Sequence, residues 1–134
     1  MSTATAVTAL GFDYGARRIG VAVGQSLTRT AQALVTLPVR NGQVDWPAIT
    51  KIIEEWRPQQ LVVGMPGTDD GQAHVNAEPI ARFARRLHGR FHLPVAFVDE
   101  RLSSYAAAED PETRRVGLDA VAARLILETW LAGC

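Results

Sequence analysis

The sequence predicts an α/β fold built on a mixed five-stranded sheet, and three observations carry that expectation. The chain opens with three β-prone runs in close succession. Two short all-apolar runs follow, and each is preceded by a stretch with helical spacing of its apolar residues. A third helical stretch closes the chain, so the order reads β-β-β-α-β-α-β-α. Strands that follow crossover helices are parallel, and ligands gather at the carboxyl ends of such strands.

Val7 to Phe12 and Ile19 to Val23 are joined by "DYGARR", in which Gly15 is expected to supply the positive φ of a tight turn, making the pair a hairpin. "TAQALVTLPV", Thr30 to Val39, alternates only loosely and fits an antiparallel edge strand, with turn material in "RNGQ" after it. "DWPAITKIIEEW" carries Asp45 as N-cap, Pro47 in the first turn, and Ile49, Ile52, Ile53 and Trp56 at helical spacing, with Pro58 as stop. "QLVVGMP" is apolar throughout, as a parallel strand covered on both faces must be.

A second helix is expected over much of Ala73 to His88, regular only from near Pro79, with Ile80, Phe83, Ala84 and Leu87 as its apolar stripe. Arg82, Arg86 and Arg90 form a basic stripe that suits either phosphate contact or plain solvation. "LPVAFVDER" is the next strand. "LDAVAARLILETWL" is the last helix, with Leu118, Val121, Leu125 and Thr129 near one line. Between them, "LSSYAAAEDPETRRVG" is polar and loop-like in its second half.

A chain of 134 residues fits one domain and leaves no room for a second catalytic lobe. Its formal net charge is zero, so any attraction to polyanions must be local. Only Lys51 among the fourteen cations is lysine; an arginine excess suits bidentate phosphate contact, although a compositional bias explains it as well. "MSTATAVTA" lacks a basic segment before a long apolar stretch, and no run approaches membrane-spanning length, so a soluble cytoplasmic protein without membrane contact is expected. Cys134 stands alone, which excludes an internal disulfide or a thiolate cluster, and His74, His88 and His92 form no HExxH motif and have no second zinc-type ligand set nearby.

Acidic residues punctuate the strand ends. Asp13 ends the first strand, Asp99 and Glu100 the last, and Asp119 lies in the first turn of the last helix. Carboxylate oxygens are hard ligands, so two or three together suit Mg²⁺ or Mn²⁺. Strand alternation lets only one of Asp99 and Glu100 share the face of Asp13, and spacing alone does not choose between them. Each acid also has a plain structural reading: a turn cap for Asp13, an ion pair with Arg101 for Glu100, a favourable helix-end charge for Asp119.

Together "FDYGARRIGVAVG", "LVVGMPGTDDG", "VDERLSS" and "LDAVAARLILETW" resemble the YqgF nuclease family, bacterial proteins described as Holliday-junction resolvases or as nucleases of pre-16S rRNA 5′-end maturation. The resemblance spans nearly the whole chain and implies an RNase H-like fold over residues 1–134, three layers with the first three strands antiparallel. It implies catalytic and metal-binding roles for Asp13, Glu100 and Asp119, a Mg²⁺ or Mn²⁺ cofactor, and phosphodiester hydrolysis in which one metal helps to deprotonate water and another steadies the leaving oxygen. Gly15, Gly20, Gly64 and Pro66 match the family's glycine-bearing turns, read equally as backbone approach to substrate or as packing. Arg17, Arg18 and Arg101 are candidate phosphate contacts. Relatives commonly carry a lysine in the loop before the last acid; here only Arg114 and Arg115 stand in "AEDPETRRVGLD".

The expected partner is structured RNA or branched DNA, with a ribosome-assembly partner as an alternative, and a monomer or weak dimer as the assembly. Two other functional classes fit parts of the pattern. "DYGARRIG" also resembles the phosphate hairpin of actin-like and sugar kinases, which need a second lobe. A non-catalytic module that binds RNA or a ribosome-assembly partner would keep the fold and lose the metal chemistry.

Overall fold

A computed structural model describes residues 6–65, 77–99 and 116–133. Strand β1 (Thr8–Tyr14) pairs antiparallel with β2 (Arg18–Gln25), the closing pair being Tyr14 and Ile19. The Gly15 amide donates to the Arg18 carbonyl at 2.9 Å. Gly15 is not among the positive-φ glycines, contrary to the expectation for this turn. What requires glycine here is space, since a Cβ would stand 2.9 Å from the Arg18 carbonyl oxygen.

Strand β3 (Thr30–Pro38) pairs antiparallel with β2, and its register shifts between Val21 and Ala22. The shift accounts for the loose alternation in the sequence. Ala31 and Ala33 share a face with Gly24 and Ala22, whereas Val35 and Leu37, beyond the shift, share the opposite face with Val21 and Ile19.

Helix α1 (Trp46–Trp56) begins where Asp45 Oδ1 accepts from the Ala48 amide at 3.1 Å and ends at Arg57, left-handed, with Pro58 preventing continuation. It leads into β4 (Gln60–Met65), parallel to β1. Helix α2 (Ala77–Phe91) starts two residues before Pro79 and runs three past His88. Proline is tolerated there because first-turn amides have no intrahelical acceptor. Strand β5 (Val95–Asp99) is parallel to β4, and α3 (Leu118–Ala132) completes the described chain. The sheet order is β3-β2-β1-β4-β5. No helix among the described residues is long and apolar enough to cross a membrane.

The two faces of the sheet carry side chains of different size, and this decides which helix can come close. Leu10, Phe12, Ile19, Val21, Leu61 and Val63 pack with α1 and α2. The opposite face presents Ala9, Gly11, Ala22 and Gly24, and α3 lies on it. A Cβ on Gly11 or on Gly24 would stand 2.9 Å from a carbon of Leu127 or of Leu131, so the glycines set how near the helix sits.

The predicted line of Leu118, Val121, Leu125 and Thr129 is not the buried face of α3. Leu118 and Thr129 are exposed, while Ala120, Val121, Ala122, Ala123, Ile126, Leu127 and Leu131 are buried. Four consecutive buried residues mean that a helix pressed onto a flat, small-residue surface is covered over more than one stripe. Each fully buried Ile or Leu there contributes roughly 1.5–3 kcal/mol.

Candidate active site

Strands β1, β3, β4 and β5 run in one direction, so their carboxyl ends share one edge of the sheet. Helices α1 and α2 follow β3 and β4 and therefore begin at that edge, and α3 begins beside Gly20 of β2 at the same edge. Three helix N-termini thus point their partial positive charge, equivalent to about half a unit each, toward one end of the molecule.

Asp13 occupies that end of β1, half-buried and directly opposite Gly20. Residues opposite one another across a ladder point to the same face, so Asp13 stands on the face that α3 covers. A Cβ on Gly20 would fall inside the Asp119 carbonyl group and 2.6 Å from the Ala120 amide nitrogen. The bare Cα of Gly20 is what lets the first turn of α3, and with it Asp119, reach the sheet beside Asp13. Thr36, opposite Gly20 on its other side, donates its hydroxyl to the Val116 carbonyl at 2.9 Å, and the positive φ of Gly117 turns the chain into α3.

Arg18 Nε lies 2.8 Å from Asp119 Oδ2. The guanidinium is 60% exposed and the carboxylate 22%, so the pair contributes at most about 1 kcal/mol to stability. Its consequence is local. A carboxylate offers about four lone-pair positions, so Asp119 retains capacity for a second cation, one that Arg18 repels. Arg18→Gln should raise affinity for Mn²⁺ several-fold while leaving the melting temperature nearly unchanged, as calorimetric titration and thermal unfolding will show; unchanged or weaker Mn²⁺ binding would mean that Asp119 takes no part in holding a cation.

Of the residues expected from the sequence, Asp13, Arg18, Gly20 and Asp119 come together. Arg17 is exposed on the hairpin turn, and Gly64 is buried in β4 opposite Val98. Glu100, Arg101, Arg114, Arg115, Pro66, His74 and Cys134 lie outside the described residues, as do Ala73 and most of the segment before α3. Asp99 is exposed and on the face opposite Asp13: Val98 packs against the cluster that Val62 shares with α3, and alternation turns Asp99 the other way. Among the described residues no three His, Cys, Asp or Glu side chains form a metal-sized group. Thr36 and Gly117 had no distinguishing signal in the sequence, and the packing role of Gly20 becomes specific only once α3 is in place.

Three antiparallel strands followed by two parallel ones, with α3 covering one face and α1 and α2 the other, define an RNase H-like protein. The same fold appears in RuvC from T. thermophilus in complex with a Holliday junction substrate (TM-score 0.54, 14% identity, 95% of this chain and 94% of that one). It appears also in the Fowlpox virus resolvase bound to Holliday junction DNA (TM-score 0.57, 10% identity, 94% and 97%). A family model described as "RuvX: Holliday junction resolvase" matches residues 7–133, and the chain belongs to this family, the one its motifs resemble under the name YqgF. Proteins from Azotobacter vinelandii (48% identity, 92% of both chains) and Paraburkholderia phymatum (50% identity, 94% of this chain and 85% of the relative) each carry the name "Putative pre-16S rRNA nuclease". Membership places the chain among hydrolases of phosphodiester bonds.

Proposed function

We propose that this chain is a metal-dependent endonuclease acting on structured nucleic acid, with 5′-end processing of pre-16S rRNA as its task. The observation that carries the reading is the convergence of Asp13 and the Asp119 turn on one face of the sheet edge, made sterically feasible by Gly20. Glu100 is proposed to complete the catalytic and metal-binding set, as the family's acidic pattern implies; Asp99, turned to the face opposite Asp13, is not proposed as a ligand.

The donor chemistry fits Mg²⁺ or Mn²⁺, because every candidate ligand is a carboxylate oxygen. Bound there, the cation supplies the charge that acidifies water and offsets the charge growing on the leaving oxygen. The chain's own part is to fix Asp13 on a central strand and Asp119 on a helix seated against it. Arg18 stands beside them with most of its guanidinium in solvent, placed to hold a substrate phosphate. Arg17, Arg101, Arg114 and Arg115 are proposed to extend that contact along the backbone, and Gly15 keeps the hairpin turn low beside it.

The test is cleavage of a pre-16S 5′-leader RNA, a four-way DNA junction and a linear duplex, each with Mg²⁺ and with chelator. The reading predicts Mg²⁺-dependent cuts in the leader RNA. Cuts in the junction alone would transfer the activity to branched DNA. Binding without cleavage of any of them, with Mg²⁺ or Mn²⁺, would make the chain a non-catalytic binding module.

A further inference from the structure

Helix α2 carries four arginines on its exposed surface, and the structure separates them into two kinds. Arg85 lies 3.0 Å from Glu78, and Arg90 stacks its guanidinium over Trp46, 4.3 Å from the ring centroid. Those two have local partners. Arg82 and Arg86, one turn apart, are exposed and make no ion pair among the described residues. Like charges at this spacing destabilise a helix by a few tenths of a kcal/mol.

Both line a cleft of about 100 Å³ with Tyr14, Gly42, Val44, Pro79 and Phe83. Its aromatic wall is fixed, because Tyr14 stacks on Phe83 at 4.8 Å and Phe83 is itself buried against Phe12. Its other wall is the turn holding Gly42, where positive φ and open space leave the backbone uncovered. That turn is tied to the hairpin: the Val39 amide donates to the Arg17 carbonyl at 2.8 Å, and Arg40 and Gln43 exchange backbone hydrogen bonds. Tyr14 directly follows Asp13 and points to the opposite face. The Gly15–Arg17 turn therefore lies between the carboxylates on one face and the arginine cleft on the other.

We propose that Arg82 and Arg86, walled by Tyr14 and the Gly42 turn, form a second docking site for a nucleic-acid phosphate backbone, reached by a strand that leaves the carboxylates and passes over the hairpin tip. The proposal rests on the nuclease reading and adds to it a substrate path around the end of the sheet. Two guanidiniums whose Cβ atoms lie about 5–6 Å apart each take a phosphate through paired N–H donors, with no reading of bases. The cleft therefore governs affinity and leaves the bond-breaking step to the other face.

The experiment measures affinity for a fluorescent RNA hairpin with single-stranded flanks, in chelator, across a salt series. For Arg82→Gln/Arg86→Gln, the slope of log affinity against log salt should shrink by about two, one for each lost phosphate contact, and Arg82→Lys/Arg86→Lys should restore it. With Mg²⁺ and saturating RNA, the double glutamine variant should keep wild-type kcat and show a raised KM. Arg85→Gln removes the same charge from the same helix outside the cleft and should leave the slope as in wild type. An unchanged slope in the double variant, or an equal loss per residue in Arg85→Gln, overturns the docking site while leaving cleavage, and so the nuclease reading, intact. A wild-type protein that binds no RNA overturns the docking site and the RNA-processing task together.

Discussion

Gly20→Ala is expected to lower stability by about 3 kcal/mol or more and to abolish cleavage together with it. Adding methylenes to a packed interior usually costs about 1–3 kcal/mol, with some of that relieved by side-chain rotation. Here the added methyl meets the Asp119 carbonyl and the Ala120 amide, which are backbone and cannot rotate away. Relief requires α3 to lift from β2, which strips apolar cover from Ala22 and Ala33 and carries Asp119 away from Asp13. Thermal unfolding should show a fall of roughly 10 °C or more. Gly89→Ala supplies the contrast: in exposed α2, with nothing near the new Cβ, it should stabilise by about 0.5–1 kcal/mol. Equal melting temperatures for the two variants would show that α3 does not seat on Gly20.

Asp13→Asn should reduce cleavage by orders of magnitude with a melting temperature close to wild type. The substitution keeps shape and one carbonyl oxygen, so a turn-capping role would survive it. A charge needed to hold a divalent cation would not. Gel-based cleavage rates and circular dichroism on the same preparation separate the two: lost cleavage with the fold intact assigns the charge to catalysis, and full activity with the fold intact leaves Asp13 to the turn.

The order of strands and helices was legible because each element announces itself locally. The hairpin runs, the Asp45 cap, the Pro58 stop and the apolar "LVV" of β4 all act within a few residues of themselves. The face of α3 was not, because alanines carry little hydrophobic signal and the helix is buried by a partner whose glycines matter only through what they lack. Gly11, Gly20 and Gly24 look like turn or flexibility residues in one dimension; they define a helix seat in three. The candidate site divided in the same way. Asp13 and Asp119 stood out as acids at element ends, whereas the facing of Asp99, away from Asp13, became legible only through the packing of its neighbour Val98 under α3. Thr36, a plain polar residue in a β-strand, gained its part in holding the entry to α3 only through a contact eighty residues away in sequence.

A crystal soaked in Mn²⁺, with the metal located by anomalous scattering, tests the central claim most directly. The account predicts a peak bonded to the carboxylates of Asp13 and Asp119 and absent in Asp13→Asn crystals. A cleavage-competent protein whose Mn²⁺ sits elsewhere, with these two carboxylates untouched, would contradict it.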